Sequence, residues 1–149
     1  MLSSELAHLV AIMLQSVDHA ELGVQSMLDD LMTKFRSVLP ENVIIAALDI
    51  IDKENVIKYS TPWSYPHYEV HGSAATYKVT LDMIMSPIPF YCSCSAFTYA
   101  VLIGGSHIVC KHILATCLAD KFSLCTERPI TQIDLETLIA RRHSNAIDM

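Results

Sequence analysis

The 149-residue sequence contains no run of basic residues. Lys and Arg total 10 against 16 Asp and Glu, which gives a formal net charge of −6. Residues 1–56 carry nine of the acids and only Lys34, Arg36 and Lys53, so this third of the chain holds the entire net charge. An acidic segment repels phosphate. The sequence therefore predicts that residues 1–56 are not a nucleic-acid surface.

Long apolar runs are also missing. The longest, Val43–Leu48 and Ala96–Ile103, fall far short of the roughly 18 residues that a membrane-spanning helix needs. Glu5 and His8 stand where a secretory signal would carry Lys or Arg, so no export signal and no membrane association are expected. Yet apolar residues make up 52% of the chain, charged residues 17%, and mean hydropathy is +0.35. This excess predicts an apolar surface that a partner covers.

Helical spacing dominates residues 1–52. A first helix is predicted from a Ser3 or Ser4 cap as far as Gly23, a second over Val24–Phe35, and a third starting with Pro40 at its first position. Each carries an apolar stripe that packs a core or, alternatively, meets a partner. We expect residues 1–52 to form a helical partner-binding region.

Strand patterns replace helical ones after Asp52. Short β-branched and aromatic segments separated by turn signals predict strands at Val56–Tyr59, Tyr68–His71 and Thr76–Leu81. Helical patterns return at Ser95–Ile103 and Cys110–Phe122, and a last helix is predicted over Thr131–Arg142, capped by Thr131 with Asp134 in its first turn. The expected fold is α+β, with N-terminal helices and a small antiparallel sheet. Its predicted regions are residues 1–52, 53–125 and 126–149.

Four residues form a metal-ligand pattern: Cys92-Ser-Cys94, fifteen residues, then Cys110-Lys-His112. Three thiolates and one imidazole are a common tetrahedral set for structural zinc. Alternate residues of an extended chain face the same side, so Cys92 and Cys94 can reach one ion. Residues two apart on a helix diverge by about 200°. Cys110 is therefore predicted at or before a helix start, with His112 in the first turn.

Alternatives remain open at this stage. His107 lies three residues before Cys110 and could replace His112, while Cys117 is more typical of a small core residue. Unligated thiols are the plain alternative to a metal site. A catalytic alternative uses Cys92 or Cys94 as a nucleophile or redox pair with a histidine base. Four protein ligands leave zinc no open position, which favours one structural Zn²⁺ and a chain that is not an enzyme.

The motif resembles the SWIM zinc domain, whose pattern is C-x-C, a variable spacer and C-x-H. Ser95 replaces the proline that usually follows the second cysteine, a change that affects the turn and not ligation. Residues 40–120, with the passage from Ala46–Asp52 into a strand, resemble the small SWIM-domain subunits of the Shu complex, the zinc finger SWIM domain-containing protein 7 family. The resemblance implies that Cys92, Cys94, Cys110 and His112 bind the zinc.

The same resemblance implies a role in homologous-recombination DNA repair. Its members pair with a RecA-like recombinase paralogue and assist assembly of strand-exchange recombinase filaments on single-stranded DNA, so a nuclear location is expected. An adaptor role in a ubiquitin-ligase or chromatin assembly is the alternative. Weak, salt-sensitive single-strand binding by the isolated chain is expected, with stacking by Tyr91, Phe97 or Tyr99 as one possibility. Trp63 is a candidate partner anchor.

Overall fold

The computed structural model describes residues 12, 29, 32–62, 64–81, 83, 86, 88–131, 134, 136, 137 and 140. Most of the first two predicted helices, and Trp63, lie outside these residues. Residues 32–35 are helical, and Phe35 at the end of this segment is fully buried. No helix within the described part of the chain is long and apolar enough to span a bilayer.

Five strands form one sheet. They are β1 (Val56–Thr61), β2 (Ser64–His71), β3 (Thr76–Thr80), β4 (Tyr91–Cys92) and β5 (Thr126–Pro129), in the order β4-β3-β2-β1-β5. The first four pair antiparallel, with Val56 opposite Val70 and Tyr68 opposite Val79. The α+β prediction is confirmed, as are the three predicted strands, although β2 starts earlier than expected.

The fifth strand is an addition to the small antiparallel sheet that the sequence predicted, because no strand was expected at residues 126–129. β5 pairs with β1 in the parallel direction, with Ile57 opposite Thr126 and Ser60 opposite Pro129. Residues 127–129 are exposed. A short, polar, exposed edge strand carries no period-two apolar signal, so its sequence pattern does not distinguish it from a loop.

Two helices pack against each other, and the second of them also packs against the sheet. They are α1 (Glu41–Asp52) and α2 (Lys111–Lys121). Seven of the eleven residues of α2 are buried, because α1 covers one side of the helix and β1 to β4 contact another. The inner face of the sheet contributes alternate side chains to this core, among them Val56, Val70 and Val79. The core therefore surrounds α2, which begins at the metal-ligand motif.

A π-helix occupies Phe97–Ile103, where the sequence predicted a helix without indicating its type. The Gly104 N–H donates to the Tyr99 carbonyl at 2.9 Å and closes the wide turn. A Cβ atom at Gly104 would lie 2.8 Å from that same carbonyl oxygen, so only glycine fits here without a shift. Gly105 follows with φ of 61°, a conformation that glycine adopts at little cost. The two glycines thus end this helix and redirect the chain toward Cys110.

Both α-helices end in Schellman motifs built without glycine. Glu54 and Ser123 take left-handed φ values of 55° and 56°. After α1 the Asn55 N–H donates to the Ile50 carbonyl at 3.1 Å, and after α2 the Leu124 N–H donates to the Ala119 carbonyl at 2.7 Å. These turns lead directly into β1 and toward β5, so the helix ends set the entry of both strands.

Two predicted helix starts can be compared with the structure. Pro40 is the residue before α1 and not its first helical position. At the C-terminal end, the Asp134 N–H donates to Thr131 Oγ1 at 3.4 Å, and the Thr131 hydroxyl donates to Asp134 Oδ2 at 2.7 Å. This reciprocal pair confirms the predicted cap.

Candidate metal centre

The four predicted ligands lie together in the core. Their ligand atoms all fall within 4.8 Å of one another, and all four side chains are buried: Cys92, Cys94, Cys110 and His112. Cys92 and Cys94 come from the edge of the sheet, and Cys110 and His112 come from the start of α2. The first and last of these, Cys92 and His112, are twenty residues apart. The site therefore joins the sheet to the central helix.

The sheet edge positions the first two thiols. Cys92 ends β4 and pairs with Val79 of β3. Just beyond it, the Ser93 N–H donates to the Lys78 carbonyl at 3.0 Å, and the Lys78 N–H donates back to Ser93 Oγ at 2.9 Å. This exchange holds the residue between the two cysteines against β3. Both thiols are buried, but only Cys92 lies on the strand: Cys94 lies in a bend just before a helical segment, so the predicted extended geometry holds for Cys92 alone.

The start of α2 positions the other pair. Cys110 is the N-cap residue with an extended backbone (φ −85°, ψ 166°), and His112 lies in the first turn. The Leu114 N–H donates to the Cys110 carbonyl at 3.1 Å and begins the helical ladder. This confirms the prediction that Cys110 precedes the helix. The positive end of the helix dipole also lies next to the thiols, where it favours thiolate.

The His112 ring is fixed from two sides. It stacks on Tyr77 of β3 with ring centroids 4.2 Å apart and an interplanar angle of 26°. Its Nδ1 lies 3.8 Å from Cys92 Sγ. No local spacing in the sequence links Tyr77 to this site, because Tyr77 and His112 are 35 positions apart. Tyr77 thus orients the imidazole without being a ligand candidate itself.

Hydrogen bonds among the three thiols shift the pKa values of Cys92 and Cys94 in opposite directions. Hydrogen bonds from the Cys110 and Cys92 thiols lower the pKa of Cys94, and the Phe97 N–H also donates to the Cys94 sulfur at 3.3 Å. Hydrogen bonds with Cys110 and Cys94, together with burial, raise the pKa of Cys92. Three sulfurs close together in a buried space form a donor set that fits a soft divalent cation, because a bound cation favours the thiolate form of each cysteine.

These residues fit one zinc ion. Three sulfurs and one imidazole nitrogen supply a complete tetrahedral set, and burial of all four excludes solvent from it. When bound, zinc would neutralise the thiolates and cross-link β4 to α2. The chain's own contribution is to hold the four side chains in place through β3, Tyr77 and the N-terminal turn of α2.

The alternative ligands lie elsewhere. His107 Nδ1 is 3.0 Å from Ser106 Oγ, and the His107 N–H donates to the Ala100 carbonyl at 3.0 Å. Cys117 is partly buried and packs against the core. Within the described part of the chain, neither belongs to the group of ligand atoms that surrounds Cys92. The geometry therefore favours His112 over His107.

Known proteins provide an independent comparison. The family model of the SWIM zinc finger matches residues 77–121, which span β3, all four ligands and α2. A Danio rerio protein named zinc finger SWIM domain-containing protein 7 is 23% identical over 141 residues, covering 95% of this chain and 96% of its own. Proteins of the same name from Mus musculus and Homo sapiens are 31% and 30% identical, over 74% and 62% of this chain and 69% and 63% of theirs. No solved structure gives a significant match.

Proposed function

This chain belongs to the zinc finger SWIM domain-containing protein 7 family, and on that premise we propose that it is a non-catalytic, zinc-stabilised subunit of a Shu-type complex. In this role it pairs with a RecA-like recombinase paralogue and supports homologous-recombination DNA repair. The pair assists assembly of strand-exchange recombinase filaments on single-stranded DNA. The family resemblance supports this assignment, together with the properties of the site and surface described below.

The closed ligand set is the observation that carries the non-catalytic part of the proposal. Cys92, Cys94, Cys110 and His112 would together supply the four ligands of a tetrahedral zinc ion, and each is at most 4% exposed. Catalytic zinc keeps a position for water or substrate, and structural zinc does not. The position of the site also supports a structural role, because it ties a strand end to the central helix. Zinc here stabilises a binding surface.

Exposed apolar side chains support a partner-dependent role. Large hydrophobic residues with more than half of their surface exposed occur on α1, on β2 and on the π-helix: Ile45, Tyr65, Tyr99 and Ile103. Single exposed residues of this kind are ordinary, but several on a chain that is 52% apolar favour interfaces that a partner covers. A stable heterodimer would bury such surfaces as an obligate interface does.

Charge supports a minor direct role in DNA binding. The chain carries −6, and two of its described basic side chains, Arg36 and Lys53, are paired with carboxylates at 3.1 and 2.8 Å. The net negative charge repels phosphates. We therefore propose that the assembly supplies most of the DNA contact and that this chain alone binds single strands weakly.

Affinity purification of the tagged chain from its own cells, with zinc measured on the same sample, tests the proposal. A recombinase paralogue with equimolar zinc is the expected result. A Cys94→Ser variant should lose both the zinc and the paralogue, because the metal stabilises the fold that carries the partner interface. Recovery of cullin or chromatin-remodeller subunits would instead support the adaptor function, and a zinc-loaded monomer without any partner would exclude a Shu-type role.

Oligonucleotide binding gives a second test. Fluorescence anisotropy with a labelled single strand should show weak binding by the isolated chain that decreases as salt increases, and tighter binding by the reconstituted pair. Affinity that does not change with salt would contradict an electrostatic contact. We also propose a nuclear location, which imaging of a fluorescent fusion with and without the partner would test.

A further inference from the structure

A cavity lies beside the metal centre, between α1, the π-helix and the start of α2. Its volume is about 280 Å³, and its walls include small apolar side chains from α1 and the π-helix: Val43, Ala46 and Ala100. Asn42, His107 and Lys111 add polar groups. Drug-sized ligands occupy roughly 300–1,000 Å³. The smaller volume here suits one or two inserted side chains better than a cofactor.

The π-helix extends this apolar character to the surface. Ala100 of this helix and Ala96, the residue before it, line the cavity, while Tyr99, Leu102 and Ile103 of the helix are 67%, 43% and 67% exposed. A small-walled cavity on a helix with exposed large apolar side chains resembles a protein interface, in which one anchor enters a pocket and neighbouring contacts exclude water. π-helical segments are also frequent at functional sites.

A free cation borders the cavity. Lys111 is exposed, and no carboxylate of the described residues lies within 4.0 Å of its ammonium group. Lys53 and Lys58, by contrast, contact carboxylates at 2.8 and 2.7 Å. An acidic group on the occupant would therefore complement Lys111. Asn42, exposed on the first turn of α1, adds a hydrogen-bonding side chain on the opposite wall.

We infer that this cavity is an anchor pocket for a segment of the partner protein, which inserts one large apolar side chain and places an acidic residue next to Lys111. The inference rests on the proposed function, since it specifies where the partner binds. A nucleic-acid strand fits less well, because the chain carries −6 and a single lysine borders the cavity. A second copy of this acidic chain would bring like charges together.

Site-specific photo-cross-linking of the purified full-length complex tests the pocket. Benzoylphenylalanine replaces Tyr99 beside the cavity in one sample, and Tyr65 on β2, which is 82% exposed, in the control. The Tyr99 position should link to one partner peptide that contains a large apolar residue and an acid within a few positions. The Tyr65 position should not link to that peptide. A Tyr99 link to a second copy of the chain, or to a bound oligonucleotide, would overturn the inference.

Substitutions in the wall of the cavity and at its edge provide a second test of the inference. Ala100→Leu fills the cavity and Lys111→Glu reverses the charge, and each should reduce recovered partner by at least about tenfold. Ala74→Leu, an exposed alanine between β2 and β3, is the matched control and should have no effect. Zinc content and thermal unfolding show whether each variant is folded. If Ala100→Leu is unstable, partner recovery with Lys111→Glu tests the pocket.

The outcomes separate the two proposals. Full partner recovery with Lys111→Glu and with a folded Ala100→Leu would overturn the pocket and leave the proposed function standing. Absence of any partner from the wild-type sample would overturn the proposed function itself.

Discussion

Replacing His112 with alanine should release the zinc ion from the centre. The change removes one of four ligands and leaves three thiols whose ligand atoms lie within 4.8 Å of one another. Structural zinc in small modules contributes an apparent 10–16 kcal/mol of binding free energy. A quarter of that range is about 2.5–4 kcal/mol, which corresponds to a loss of zinc affinity of roughly 60-fold to 800-fold.

Stability should fall along with affinity. A domain of this size has a free energy of unfolding of about 5–15 kcal/mol, so the metal contribution is as large as the total. The His112 ring also stacks on Tyr77 at 4.2 Å, a contact worth about 0.5–1.5 kcal/mol. His112→Ala should therefore unfold at a much lower temperature, whereas Tyr77→Leu, which removes the stacking alone, should lower the midpoint by only a few degrees.

Native mass spectrometry and circular dichroism measure the two effects. His112→Cys is the control for ligand number, because four cysteines also form a structural zinc set, and it should retain one zinc ion. Zinc affinity is compared by competition with a chelator of known strength. Unchanged affinity in His112→Ala, or a wild-type melting curve that stays the same after complete zinc removal, would refute the reasoning.

Three further predictions follow from the helix ends, an ion pair and a buried thiol. Glu54→Gly should raise the free energy of unfolding by up to about 1 kcal/mol in urea titration, because φ at this position is 55° and glycine adopts that angle without strain. A free energy of unfolding below that of the wild type would contradict this prediction. The Asp120 carboxylate, 2.7 Å from the ammonium, raises the pKa of Lys58, so the pair stabilises the fold below the ordinary lysine pKa and the effect disappears as pH rises through the raised value. Lys58→Met should therefore lower the free energy of unfolding by about 1 kcal/mol at most at pH 7 and should have no effect once the pH exceeds the raised pKa, as pH-dependent melting would show. Burial raises the pKa of Cys125 to about 11, and the Asp120 charge adds to the shift. Iodoacetamide, followed by mass spectrometry, should therefore modify this thiol slowly at pH 7 and faster at pH 10. Rapid labelling at pH 7 would disprove this.

Much of the centre could be predicted from the sequence because its geometry is local. Side chains two apart on an extended segment share a face, and residues two apart on a helix do not, so Cys92 and Cys94 had to be extended and Cys110 had to precede a helix. The structure agrees at Cys92, which ends β4, and at Cys110, which is the N-cap of α2, whereas Cys94 lies in a bend just before a helical segment. The apolar stripe of α1 and the three central strands followed from the same periodicities.

Contacts between distant residues depended on the tertiary structure alone. The parallel pairing of β5 with β1 and the stacking of Tyr77 on His112 both join residues that are far apart in the sequence. Periodicity states which face a side chain occupies, but it does not state what lies across from that face. The ligand chemistry was therefore determined by the chain's local pattern. The contact between Tyr77 and His112, and the cavity beside the metal centre, depend on the packing of the sheet, the π-helix and α1 around α2.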